Sequence, residues 1–139
     1  MGSNRLFVTK EDTFTLTLLY TKDGDLSVSR VEDVIESERD RWEKFEIEFA
    51  MPDFATAKGI MRNSIDYDGA TQVVNMGAFN NAMMATLIKR WNLTDTEGKE
   101  IACNLSKLNE LRPDIVRSFV ELLNEKLQKE GIYQAIMLS

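Results

Sequence analysis

The run Phe45-Glu46-Ile47-Glu48-Phe49 alternates apolar and charged residues without a fault. Successive side chains of a strand point to opposite faces, so this run has one aromatic and aliphatic face for a core. Glu46 and Glu48 form the other face, for water. Pro52 ends the strand, because proline has no N–H to give to a ladder. The same period of two appears in Phe14-Thr15-Leu16-Thr17-Leu18, and Leu19 and Tyr20 break it and mark an end. Asp23-Gly24-Asp25 reads as a turn, and Leu26-Ser27-Val28-Ser29 as the strand returning from it. The expectation is an N-terminal β-hairpin and a further strand.

Between them lies a charged stretch, residues 30–43. Val31, Val34, Ile35 and Trp42 fall near helical spacing, which fits either a short amphipathic helix or a charged excursion on a long hairpin. After the strand the period lengthens. Pro52 or Asp53 opens a helix with Phe54, Ala57, Ile60 and Met61 as its stripe, and Gly59 weakens it slightly. Asn63 to Gly69 is expected as a connection, and Ala70 to about Trp91 as one helix. Val73, Val74, Gly77, Phe79 or Asn80, Met84, Leu87 and Ile88 share its apolar face, with Gly77 marking close packing or a kink. Asn92 to Lys99 is a loop turning at Glu97-Gly98. Ser106, with Asn109 and Glu110 nearby, suggests a capped turn through Leu111. Pro113 opens a last helix striped by Ile115, Val116, Phe119, Leu122, Leu123 and Leu127, and Gly131 stops it.

Strands come first and helices second, which argues for α+β rather than a parallel α/β fold. A length of 139 residues suits one domain. Residues 1–50 form its mainly β part, residues 51–131 its helical part, and residues 132–139 an apolar tail. Met1-Gly2-Ser3 carries no fold signal. No apolar run approaches the roughly 20 residues that span a bilayer, and no charged-then-apolar leader predicts secretion. One cysteine excludes an internal disulfide. A net charge of −6 disfavours nucleic acid as a partner.

The absence of histidine constrains chemistry most. A Ser-His-Asp or Cys-His arrangement is impossible, and the commonest transition-metal ligand is missing. Cys103 has no histidine to activate it and reads as a small buried hydrophobe. Glu32, Asp33, Glu36, Glu38 and Asp40, and again Asp66 and Asp68, could hold a hard cation. Arg30, Arg39 and Arg41 interleave with the first group, so a solvated salt-bridged surface is favoured. No phosphate-cradling glycine loop is present. Asn92-Leu93-Thr94 and Asn104-Leu105-Ser106 match the glycosylation tripeptide by chance. Lys89-Arg90 beside Trp91 reads as charge at a helix C-terminus rather than a nucleic-acid contact. The expectation is a chain with no enzymatic activity, no cofactor and no metal.

Two features suit partner binding. Met83 and Met84, with Met76, lie on one expected helix, and Met-rich faces adapt to partners as well as filling cores. The tail Ile132-Tyr133-Gln134-Ala135-Ile136-Met137-Leu138 is apolar. It is either a partner-binding strand or the last core strand. Ile132, Tyr133 and Ile136, with Phe119, complete the candidate partner-binding residues.

The segment from Leu87 through Trp91-Asn92-Leu93-Thr94-Asp95-Thr96-Glu97-Gly98-Lys99 to Ile101 resembles a motif of tailed-bacteriophage tail assembly chaperones and related small tail proteins. There a helix ending in tryptophan leads into a Leu-Thr-Asp-x-x-Gly-Lys turn, and then into a short segment, a capped turn and a proline-containing helix start. Asn104-Leu105-Ser106, Leu108 to Leu111 and Arg112-Pro113-Asp114-Ile115 are similar to those last three parts. Glu46 to Phe49 with Pro52 after it is similar to the start of such domains, and the likeness runs over residues 45–130. By its physics Trp91 anchors the helix end in the core, Asp95 bonds the turn backbone and Gly98 takes the left-handed region. Leu93, Thr94 and Pro113 complete the motif. The first 44 residues and the apolar tail depart from the family pattern.

The resemblance implies a non-enzymatic phage protein acting in the host cytoplasm during assembly. It would bind the tape measure protein, keep its apolar face from aggregating and help recruit tail tube subunits. The helix over residues 70–91 and that over 114–130 could supply the accepting face. The first alternative is a structural subunit of the virion tail, baseplate or neck, with self-association in a symmetric assembly. An acidic binder of a basic host protein and a carboxylate-metal enzyme rank below these.

Overall fold

The computed structural model describes residues 5–137. Met1-Gly2-Ser3 and the tail's Leu138 lie outside the described residues. Strand β1 (Thr13–Thr21) pairs antiparallel with β3 (Trp42–Ala50) over its whole length, from Thr13 opposite Ala50 to Thr21 opposite Trp42. The register sets Phe14 opposite Phe49, Leu16 opposite Ile47 and Leu18 opposite Phe45. The two alternating runs thus share one apolar face. Strand β2 (Val28–Arg30) lies on the other side of β1, and β6 (Ile88–Trp91) beside β3. A bulge at Glu48/Phe49 shifts the β3–β6 register. The sheet order is β2-β1-β3-β6.

The expected hairpin is present, with Gly24 at φ 75° in its turn, but β1 runs on through Leu19 and Tyr20 to Thr21. Leu18 and Leu19 point to opposite faces, and both are buried. Val34 is buried too, and neither it nor Leu19 belongs to the main core. The excursion therefore covers the back of β1, which is why the alternation fails there. It forms two short 3-10 turns, Val31–Asp33 and Glu36–Arg41, rather than an amphipathic helix. Arg39 ties it together by donating to the Val34 carbonyl at 3.1 Å and the Val31 carbonyl at 3.2 Å. Trp42, expected with the excursion, opens β3.

Helix α1 (Phe54–Asn63) begins where Asp53 accepts the Thr56 N–H at 2.8 Å. Those hydrogen bonds hold the Asp53 carboxyl below its ordinary range. Ala57 and Met61 are buried as the stripe requires, but Phe54 is exposed beneath Lys58. The single helix expected from Ala70 to Trp91 is three elements. Strands β4 (Ile65–Asp68) and β5 (Thr71–Val74) form a separate two-stranded ribbon. Gly69 turns it at φ 64°, and β-branched Thr71, Val73 and Val74 favour the strand. Helix α2 (Met76–Leu87) then starts from Asn75, which accepts the Ala78 N–H at 3.0 Å. Gly77 sits in its first turn, where an added Cβ would meet only the Asn75 side chain, at 3.5 Å, so no close packing requires it.

Helix α3 (Leu105–Leu108) is capped by Asn104, not Ser106: the Asn104 side chain accepts the Lys107 N–H at 2.9 Å. Helix α4 (Pro113–Lys129) starts on proline as expected, and Gly131 at φ 71° turns the chain into α5 (Ile132–Met137). The described part of the tail is therefore a helix, not a strand, and it folds back on the core. Phe119, Leu123 and Leu127 of α4 are buried against the apolar sheet face, with the Phe119 and Phe45 rings edge to face at 4.9 Å. Helices α1, α2 and α5 complete the cover. The chain is one α+β fold, a sheet followed by a helical half.

Candidate functional site

The motif region is a tight β-turn structure built on strand β6, not on a helix end. Trp91 is buried and donates its indole N–H to the Ile101 carbonyl at 2.7 Å. The Leu93 carbonyl accepts the Ile101 N–H, and Thr94 bridges Glu100. At the tip the Asp95 carboxylate accepts the backbone N–H groups of Glu97, at 2.8 Å, and Lys99, at 3.0 Å. Gly98 takes φ 81°, a left-handed conformation that favours glycine. Asn92 acts as an extra sheet residue: its side chain accepts the Glu46 N–H and donates to the Lys44 carbonyl, both at 2.9 Å. Both asparagines of the glycosylation tripeptides therefore hold backbone. Lys89 and Arg90 lie on β6, where Lys89 reaches the Lys10 carbonyl and Arg90 pairs with Glu100.

The candidate partner-binding residues are mostly interior. Met83, Met84 and Phe119 are at most 1 % exposed, and Tyr133 and Ile136 are also buried. The Tyr133 ring lies tilted against Phe79, 5.1 Å between centroids, and its hydroxyl donates to Asn80; burial pushes its phenol up to about 12. Of the five, Met84 and Tyr133 reach the walls of surface clefts, and Met83, Phe119 and Ile136 do not. Of the set, only Ile132 is half-buried. Among the described methionines, the exposed ones are Met76 and Met137.

Those two methionines flank an open cleft of about 920 Å³ between β1, α1, α4 and α5. Leu16, Met61 and Leu122 give it an apolar floor. Arg30, Glu125, Lys126 and Lys129 line its charged rim, where Arg30 and Glu125 pair at 2.7 Å. Lys126 pairs with Glu130 at 3.0 Å and lies over the Phe14 ring. A smaller cleft of about 510 Å³ lies between α2, α3 and α4, lined by Met84, Leu108 and Val116. Neither was legible in the sequence, because each joins residues from distant segments. The surface signal available was the spacing of Leu122, Glu125, Lys126 and Lys129 on one side of α4.

Cys103 is half-buried, and burial pushes its thiol up, away from the reactive thiolate. Among the described residues, no three acidic or cysteine side chains come together to hold a metal ion. Nor is any helix among them long and apolar enough to cross a membrane. No protein-family model, curated protein or solved structure matches the chain.

Proposed function

We propose that this chain is a non-enzymatic tail morphogenesis protein of a tailed phage, acting as an assembly chaperone for the tape measure protein in the host cytoplasm. The observation that carries the reading is the cleft: an apolar floor with a mixed-charge rim suits an amphipathic helix laid along it. The tape measure protein, a long helical partner, supplies such segments, and several weak sites on it would give avidity. The motif likeness at residues 87–101 supports the same reading. Recruitment of tail tube subunits would then be a property of the bound complex.

The test is co-expression with the phage's tail proteins, then capture and mass spectrometry, with purified virions run alongside. Capture of the tape measure protein and absence from virions is the expected result. Met76→Glu with Met137→Glu should cut that capture at least tenfold, roughly two lost apolar contacts' worth, while leaving the fold intact, since both side chains are exposed. Stoichiometric presence in virions would instead make the chain a structural subunit of the tail, baseplate or neck. The projecting β4–β5 ribbon favours that second reading, as an arm for subunit contacts.

A further inference from the structure

Sulfur is spread unevenly over this fold. Among the described methionines, Met61, Met83 and Met84 are buried and Met51 is half-buried. Met76 is 41 % exposed and Met137 is 63 % exposed. Both exposed side chains line the same cleft, Met76 from the start of α2 and Met137 from the end of α5. They are distant in sequence, so folding alone brings them to one site. Cys103 does not line this cleft, and burial keeps its thiol from the reactive thiolate form.

We infer that Met76 and Met137 form an oxidation site on the walls of the cleft, which a hydroperoxide modifies first and which then makes the cleft reject apolar ligands. Access sets which methionines react, because the peroxide must reach the sulfur. The thioether sulfur attacks one peroxide oxygen with a lone pair. The O–O bond breaks and an S–O bond forms, and the other oxygen takes the proton and leaves as water or an alcohol. Sulfur is oxidised to the sulfoxide and the peroxide is reduced. The new S–O group is polar, and pressing it against an apolar ligand without a hydrogen-bond partner is costly. The floor of Leu16, Met61 and Leu122 keeps its chemistry, so the fold survives while the apolar walls are lost. The step is reversible: a sulfoxide reductase with a dithiol removes the oxygen as water, and the dithiol ends as a disulfide. The effect on tape measure binding rests on the function proposed above; the selectivity of oxidation rests on burial and position.

Dilute hydrogen peroxide on the full chain, followed by peptide mapping, tests the site. Met76 and Met137 should take up oxygen about tenfold faster or more than Met51, Met61, Met83 and Met84. The apolar dye ANS reads the cleft without a partner, and capture of the tape measure protein reads its use. Oxidation should lower ANS fluorescence severalfold and capture about tenfold, with circular dichroism unchanged. The control is Met76→Leu with Met137→Leu, which keeps the apolar surface and has no thioether at either position. It should match the parent in both readouts and keep them after peroxide. Oxygen uptake at the buried methionines at the same rate overturns the inference. So does an oxidised parent whose ANS fluorescence is unchanged, or a leucine variant that loses its fluorescence as far as the parent does. If ANS responds as expected and no chain captures the tape measure protein even before peroxide, the oxidation site stands and the chaperone reading falls.

Discussion

Strands β1 and β3 make one antiparallel pair and β4 and β5 another, yet the two hold together by different means. The first runs nine residues and puts Phe14, Leu16 and Leu18 beside Phe49, Ile47 and Phe45 on one face. Phe45, Ile47 and Phe49 are almost wholly buried in the core, and the Phe14 and Phe49 rings stack at 5.6 Å. The second runs four residues a strand and buries none of them fully. It is tied at its base, where the Asn75 N–H donates to the Ser64 carbonyl at 2.8 Å and the Asn75 side-chain amide to Asp66 at 3.1 Å. One pair rests on apolar burial, the other on turn chemistry and a knot of polar bonds. Local sequence is enough to shape a ribbon, but only a covered face makes it part of the core.

Truncating the covered pair should therefore have the largest effect. Phe49→Ala removes a side chain with no exposed surface that meets Phe14 and the core beneath. It should lower the unfolding free energy by about 3–5 kcal/mol, a large share of what a single domain possesses. Urea denaturation monitored by circular dichroism would measure it. A loss below about 1 kcal/mol would mean that β3 is not the centre of the core.

The same contrast explains which parts of the fold were legible in the sequence. Glu46 and Glu48 between Phe45, Ile47 and Phe49 allow one register face, and β3 adopts it. Pro113, the stripe through Leu127 and Gly131 bound α4 on both sides. Asp95 and Gly98 announce their turn because few residues perform those two roles. The expected connection over residues 63–69 holds strand β4, and residues 70–74 misled because Val73, Val74 and Gly77 continue the helical spacing of α2. Nothing breaks the chain between Leu87 and Ile88, so the passage from α2 to β6 is set by pairing with β3 and not by a local stop. In the tail, Tyr133 and Ile136 are three apart, a helical spacing that six residues are too few to establish. The cleft stayed hidden because Leu16, Met61, Leu122 and Met137 meet only after folding.

The Asp95 turn lies between the two extremes, with a polar tip on a buried tryptophan. Asp95→Ala strips the acceptor from two backbone N–H groups. Both groups are exposed, and water can replace the carboxylate in part. A cost of about 1 kcal/mol is expected, read as a shift in the urea midpoint with the slope unchanged. The Trp91 indole bond to Ile101 should survive, so tryptophan fluorescence of the folded variant should match that of the parent.

Near the end of β1, Tyr20 supplies a smaller effect that depends on pH. Its hydroxyl donates to Glu43 at 2.7 Å. That bond, then burial, then the carboxylate's charge push its phenol from 10.0 to about 12. The folded chain thus holds the proton more tightly than the unfolded chain does. The stabilisation is complete below pH 10 and is lost as pH rises toward 12. Tyr133, raised by burial to about 12, adds to the loss in the same window. Tyr20→Phe should flatten the fall in stability above pH 10 without abolishing it, because Tyr133 remains. A variant whose alkaline profile matches the parent's would show that the Tyr20–Glu43 bond does not form in solution.

The smallest effect belongs to the ribbon. Tyr67 is 71 % exposed and sits opposite Gln72, which is exposed as well. With no core beneath it, Tyr67→Ala should change the unfolding free energy of the monomer by no more than about 0.5 kcal/mol. The comparison with Phe49→Ala isolates burial, since both changes remove an aromatic ring from an antiparallel pair. Denaturation at low concentration keeps any association out of the result. A cost above about 1 kcal/mol would mean that the ribbon's outer face packs against the body of the fold. The distinction between a sheet held by burial and a ribbon held by its turn would then fail.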